Sequence, residues 1–228
     1  MNLQFFDNDG LERELQKLAP FQRIAFAASC CERMFPFYQT FSETDKWGNQ
    51  TILRNALDEI WQSLQEKSIN KKKIVALKEE CEKDGIFPGD DDEFGEGSGE
   101  YSLFVEAGET VVAIGQTLEA CLEPTNQFVL DANQSLKNAI EYYISNFDES
   151  FRICCQGKSL DEEMKELANH TLVITEIAKQ EEDLQRLKEA EILEDKLLEW
   201  LRNSSKSSGE TMVRMFYSTQ FERFQIKL

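Results

Sequence analysis

The chain has 228 residues, with 25 Lys+Arg against 43 Asp+Glu, a formal net charge of −18, 41% hydrophobic residues and only 4 Pro and 11 Gly. So acidic a surface repels nucleic-acid phosphate and anionic lipid, which argues against DNA, RNA and membrane as partners. The apolar content suits a globular chain, and the scarcity of turn residues favours long helices over the many turns of an all-β fold.

Taken in chain order, Asn8 or Asp9 can cap a short first helix, with Glu12 completing a capping-box pattern after Asp9. Pro20 suits the first turn of a second helix, and Ile24 to Cys31 runs eight residues without a charge. A helix apolar all round belongs at the centre of a core. Pro36 is expected to perturb or end it. A third helix should start near Asn49, carrying Leu53, Leu57, Ile60 and Leu64 at helical spacing. A weaker fourth runs from about Asn70 to Lys83, opening on Lys71-Lys72-Lys73, which reads as a solvated helix start.

Residues 84 to 99 read as a loop, and residues 79 to 109 hold twelve carboxylates against one lysine. The spacing fails as an EF-hand: from Asp90, Asp92 and Gly95 fall at positions 3 and 6, but Phe94 and Tyr101 occupy positions 5 and 12. Asp90, Asp91, Asp92 and Glu93 are therefore expected to form an acidic interaction loop. A fifth helix spans about 100 to 122, with Gly108 and Gly115 on one stripe. Glycine costs a helix about 1 kcal/mol against alanine, so close packing is expected there.

The sixth helix follows Pro124 and has clear periodicity through Val129, Leu136, Ile140 and Phe147, with Phe128 and Ile140 expected as core anchors. Ser159 with Glu162 forms a capping box for a seventh. The pattern from 159 to about 202 exceeds an ordinary helix, so a break near Asn169 is expected. Ser204 to Gly209 reads as a flexible breaker. The expectation is thus an all-α, single irregular bundle of seven or eight helices over 1–203, followed by a tail over 204–228.

Six cysteines occur without a C-x-x-C spacing, and adjacent Cys30-Cys31 and Cys154-Cys155 point about 100° apart on a helix, so reduced thiols are expected. The sole histidine, His170, lies four residues after Glu166, which is too little for a dinuclear iron site and reads as a capping or surface residue. No phosphate loop, nucleophile elbow or H-E-x-x-H occurs, so no metal or cofactor is expected. No run approaches the roughly 18 uncharged apolar residues of a membrane span, and the first residues lack a signal-peptide pattern. A cytoplasmic location is expected.

Glu32 is the one anomaly in the pattern. It falls on the stripe Phe21, Ala25, Ala28, Glu32, Phe35, which is otherwise apolar. A carboxylate emerging there needs a partner, and Arg33, Arg54 and Asp58 are the candidates to complete a polar cluster.

The block Phe26-Ala-Ala-Ser-Cys-Cys-Glu32-Arg33-Met34-Phe35-Pro36-Phe-Tyr38, followed by Leu57-Asp58-x-x-Trp61, resembles the YjaG-like bacterial domain family of unknown function, number four hundred sixteen. The likeness extends more loosely over about residues 10 to 200. It implies an all-helical bacterial protein and no particular activity. Two functions remain open. One is a non-enzymatic binding or regulatory protein whose acidic surface meets a cationic or apolar protein partner, with a homodimer also admitted. The other is an enzyme using a pocket around Glu32.

Overall fold

The computed structural model describes the backbone of residues 3–5, 7–88 and 103–225, and side chains as far as Phe216. Among these residues there are ten helices and no strand: α1 (Asn8–Leu15), α2 (Pro20–Asp45), α3 (Gln50–Glu66), α4 (Lys71–Cys81), α5 (Phe104–Leu122), α6 (Asn126–Phe147), α7 (Glu149–Cys155), α8 (Leu160–Ala168), α9 (Thr171–Glu189) and α10 (Asp195–Gln225). The fold is an all-α bundle, with a few more helices than the seven or eight expected. The extra ones are short α7 and the pieces of the stretch after 159, which breaks at Asn169 and again after Glu189.

Several boundaries follow from local chemistry. Asp7, rather than Asn8 or Asp9, caps α1 by accepting from the Gly10 backbone at 2.8 Å. Asn49 and Asn70 cap α3 and α4 through their side chains. Both ends of α8 match expectation, with Glu162 reaching back to the Ser159 amide at 2.9 Å and Asn169 closing the helix.

α2 is the axis of the bundle. Every residue from Ile24 to Tyr38 is buried, and α5, α6 and α10 are its main partners, with α3 beside them. Pro36 does not end this helix, which continues nine residues further to Asp45. A mid-helix proline removes one hydrogen bond and crowds the preceding turn. Here burial on all sides of α2 outweighs that loss. Ile140 is fully buried as expected, whereas Phe128 is only partly covered and packs at the margin.

The expected breaker at Ser204 to Gly209 and the separate tail over 204–228 are not what the structure shows. α10 runs unbroken through the 203 boundary. Ser205 and Gly209 lie one turn apart, both buried, and point at α2. A Cβ on Gly209 would stand 2.2 Å from the Arg33 carbonyl oxygen, so the small residues are there to bring two backbones together. The close packing expected of Gly108 and Gly115 is absent among the described residues. Phe87 lies at ordinary contact distance, 3.5 Å, from a Cβ at Gly108, and nothing lies within 4 Å of one at Gly115.

No helix among the described residues is long and apolar enough to cross a membrane.

Candidate functional site

Glu32 and Arg33 are neighbours on α2, yet they enter two separate networks. Glu32 turns toward α3, and only 1% of its side chain is exposed. Arg54 grips it with two parallel hydrogen bonds, Nη2 to Oε1 at 2.7 Å and Nη1 to Oε2 at 2.9 Å. The Trp61 indole N–H donates to Oε1 at 2.9 Å, and Arg202 of α10 brings its Nε to 3.2 Å from the same oxygen. Asp58 accepts from Arg54 Nε at 2.9 Å and pairs with Arg202 Nη2.

Arg54, Asp58 and Trp61 fall at i, i+4 and i+7 of α3, one face of that helix. The Arg54 guanidinium also lies over the Phe35 ring, 4.9 Å from its centroid. Burial works against the Arg54 charge, but Glu32 and Asp58 overcome it, and the pKa of the guanidinium is raised.

The structure therefore unites Glu32, Arg54 and Asp58 as expected and excludes Arg33. Arg33 faces inward and is fully buried between α2, α9 and α10. Its Nη1 donates to Asp183 Oδ2 at 2.8 Å and to Ser205 Oγ at 3.2 Å, and its Nη2 lies 3.1 Å from Glu176 Oε1. Lys179 adds a second cation on Asp183, so two acids meet two bases and the interior charge balances. This is a structural network that fixes α9 and α10 on α2.

Two clefts open above Glu32. The larger, about 650 Å³, is lined by Glu32, Arg54, Trp61, Asp195, Glu199, Arg202 and Lys206. The smaller, about 290 Å³, shares Glu32, Arg54 and Lys206 and extends to Gln39, Gln50 and Thr51. Sequence reasoning found the floor but missed Trp61 as a donor, and it missed Arg202 and Lys206 altogether. The face shared by Arg54, Asp58 and Trp61 was a usable signal. Nothing in the charged stretch around Arg202 marks that residue out.

Elsewhere, His170 is a cap. Its Nδ1 accepts from Leu172 N at 3.2 Å, while Nε2 meets Asp148 at 3.2 Å. Glu166 pairs instead with Lys158 at 2.6 Å. All six cysteines are free thiols, and Cys154 alone is exposed. Burial pushes Cys30, Cys81 and Cys121 up to about 12, which leaves them protonated and poor nucleophiles. Glu106, on α5, was not singled out in the sequence. It is fully buried, and among the described residues neither of its oxygens has a hydrogen-bond partner. Asp90, Asp91, Asp92 and Glu93, the expected interaction loop, lie outside the described residues.

The sequence profile of a family described as "Protein of unknown function (DUF416)" matches residues 10–213, and the chain belongs to that family. Over 50 residues, 22% of this chain, it is 40% identical to the uncharacterized protein YjaG of Salmonella typhimurium and to that of Escherichia coli K12. That match spans only 26% of the length of those relatives. The crystal structure of a DUF416 family protein from Shewanella baltica superposes with a TM-score of 0.64 at 24% identity, covering 86% of this chain and 93% of that one. At that identity the likeness establishes the fold.

Proposed function

We propose that this member of the DUF416 family is a non-enzymatic binding protein whose ligand site is the double cleft between α2, α3 and α10. The observation that supports binding over catalysis is the state of Glu32. A general base must reach the proton it removes. Glu32 is 1% exposed and is enclosed by two guanidinium groups and an indole N–H. Its role in this reading is to hold Arg54 and Arg202 at the cleft floor, where their side chains remain 25% and 37% exposed.

A thermal-shift screen of small polar metabolites tests it. Some compounds should raise the melting temperature of the parent chain and leave Arg202→Gln unmoved. A hydrolase or transferase screen run in parallel should show no turnover. Turnover abolished by Glu32→Gln would reinstate the enzyme reading, and a screen without any Arg202-dependent stabiliser would remove the site.

A second reading, a cationic or apolar protein partner, is favoured by the net charge of −18 and by exposed Ile153, Leu160 and Ile174 on α7 to α9. Its test is a pull-down with Asp90, Asp91, Asp92 and Glu93 reversed to lysine. An unchanged set of captured proteins would count against it.

A further inference from the structure

Within the binding reading of the cleft, on which this rests, we propose that the ligand is a short zwitterion with the charge spacing of a free tripeptide. The argument starts on α10. Asp195, Glu199, Arg202 and Lys206 follow one another at steps of four, three and four, so they share one helix face, and all four line the larger cleft.

The two acids stand at one end of that face and the two cations at the other. Seven residues separate the middle of each pair, which at 1.5 Å per residue is about 10 Å. Asp195, Glu199 and Lys206 are exposed and make no ion pair among the described residues. Arg202 commits its Nε and Nη2 edge to Glu32 and Asp58, leaving Nη1 for a ligand.

The charge balance narrows the class. At the floor Glu32 and Asp58 offset Arg54 and Arg202, and along the wall Asp195 and Glu199 stand against Lys206. The site therefore carries one net negative charge, with its unpaired acids at one end and its cations at the other. Electrostatic complementarity then favours a ligand charged at both ends, its ammonium at the acids and its carboxylate at the cations. A simple anion would gain the cations but would meet the acids and the field of a −18 protein. Acids in the first turns of a helix also suit its dipole. That effect explains the position of Asp195 along α10. It does not explain Lys206 standing unpaired in the same cleft.

A volume of about 650 Å³ lies in the range of small-ligand sites. An extended chain advances about 3.3–3.6 Å per residue, so three residues span the required 10 Å or so. In this arrangement the ligand carboxylate meets Arg202 and Lys206, and its ammonium meets Glu199 and Asp195.

Isothermal titration of the whole chain with dialanine, trialanine and tetraalanine tests the proposal. Their termini are their only charges. Trialanine with free ends should bind tightest, with N-acetyl-trialanine and trialanine amide each at least tenfold weaker. Lys206→Gln should weaken trialanine about tenfold while leaving the amide unaffected, and Glu199→Gln should do the same with respect to the acetylated peptide. Both residues are exposed, so neither variant threatens folding.

Equal binding of the acetylated and free peptides would make this an anion site and overturn the proposal. If no peptide binds while metabolites still give Arg202-dependent shifts, the ligand class is wrong and the cleft stands. If neither peptides nor metabolites depend on Arg202, the binding reading itself falls.

Discussion

Glu106 and Glu32 are both buried carboxylates, one without a partner among the described residues and one with three side chains around it. Burial pushes Glu106 up to about 8 from an ordinary 4.5. Between those values the folded chain holds a proton that the unfolded chain has released. The stability tied to Glu106 is therefore fully present below pH 4.5, declines as pH rises, and is gone above about 8. Glu106→Gln, neutral throughout, should melt higher than the parent at pH 8.5, with the gap closing toward pH 5. Equal melting temperatures at both pH values would show that the carboxyl is solvated after all. For Glu32 the cost lies in what is left behind. Its two arginines are partly exposed and can rehydrate, so Glu32→Ala should lose about 2–3 kcal/mol, less than the roughly 3–5 of a fully buried pair. Urea denaturation measures it. A variant as stable as the parent would mean that the pair contributes nothing to folding.

At the scale of the helix, α10 and α2 meet through the smallest side chains available. Alanine at 209 would gain about 1 kcal/mol of helix propensity. It would also drive a methyl group into the Arg33 carbonyl, with backbone on both sides and no rotamer to relieve it. Gly209→Ala should therefore destabilise, by about 1–3 kcal/mol net, as overpacking does. Stabilisation in urea would mean that the two helices do not approach so closely. The same contact shows why sequence reasoning misread Ser204 to Gly209. Serine and glycine mark a breaker when they face solvent and a seam when they face a neighbour. The clue was the stripe Leu198, Leu201, Ser205, Met212 and Phe216, which crosses the run in helical register and is buried throughout. Of the two outcomes expected at Pro36, a perturbed helix or an ended one, the ending does not occur, since the cost of the proline is set locally and the burial that offsets it comes from helices distant in sequence.

For the molecule as a whole, what local period and capping dictate was legible: the all-α class, the buried stretch of α2, and the starts of α3, α4, α6 and α8. The Glu32 anomaly was legible too, and with it the floor of the cleft. What could not be read was the placement of α10, because Arg202 and Lys206 join the site only through tertiary packing across about 150 residues of chain. That same placement carries a consequence for synthesis. Ser205 reaches Arg33 over a separation of 172 residues. At a translation rate of about 5–20 residues per second, the face of α2 that α10 covers stays bare for roughly 10–30 s after it is made. During that interval the nascent chain displays an apolar helix with a buried-type arginine in its midst. A ribosome stalled before Asp195 would hold a sticky intermediate that a holdase chaperone should recognise and the finished protein should not.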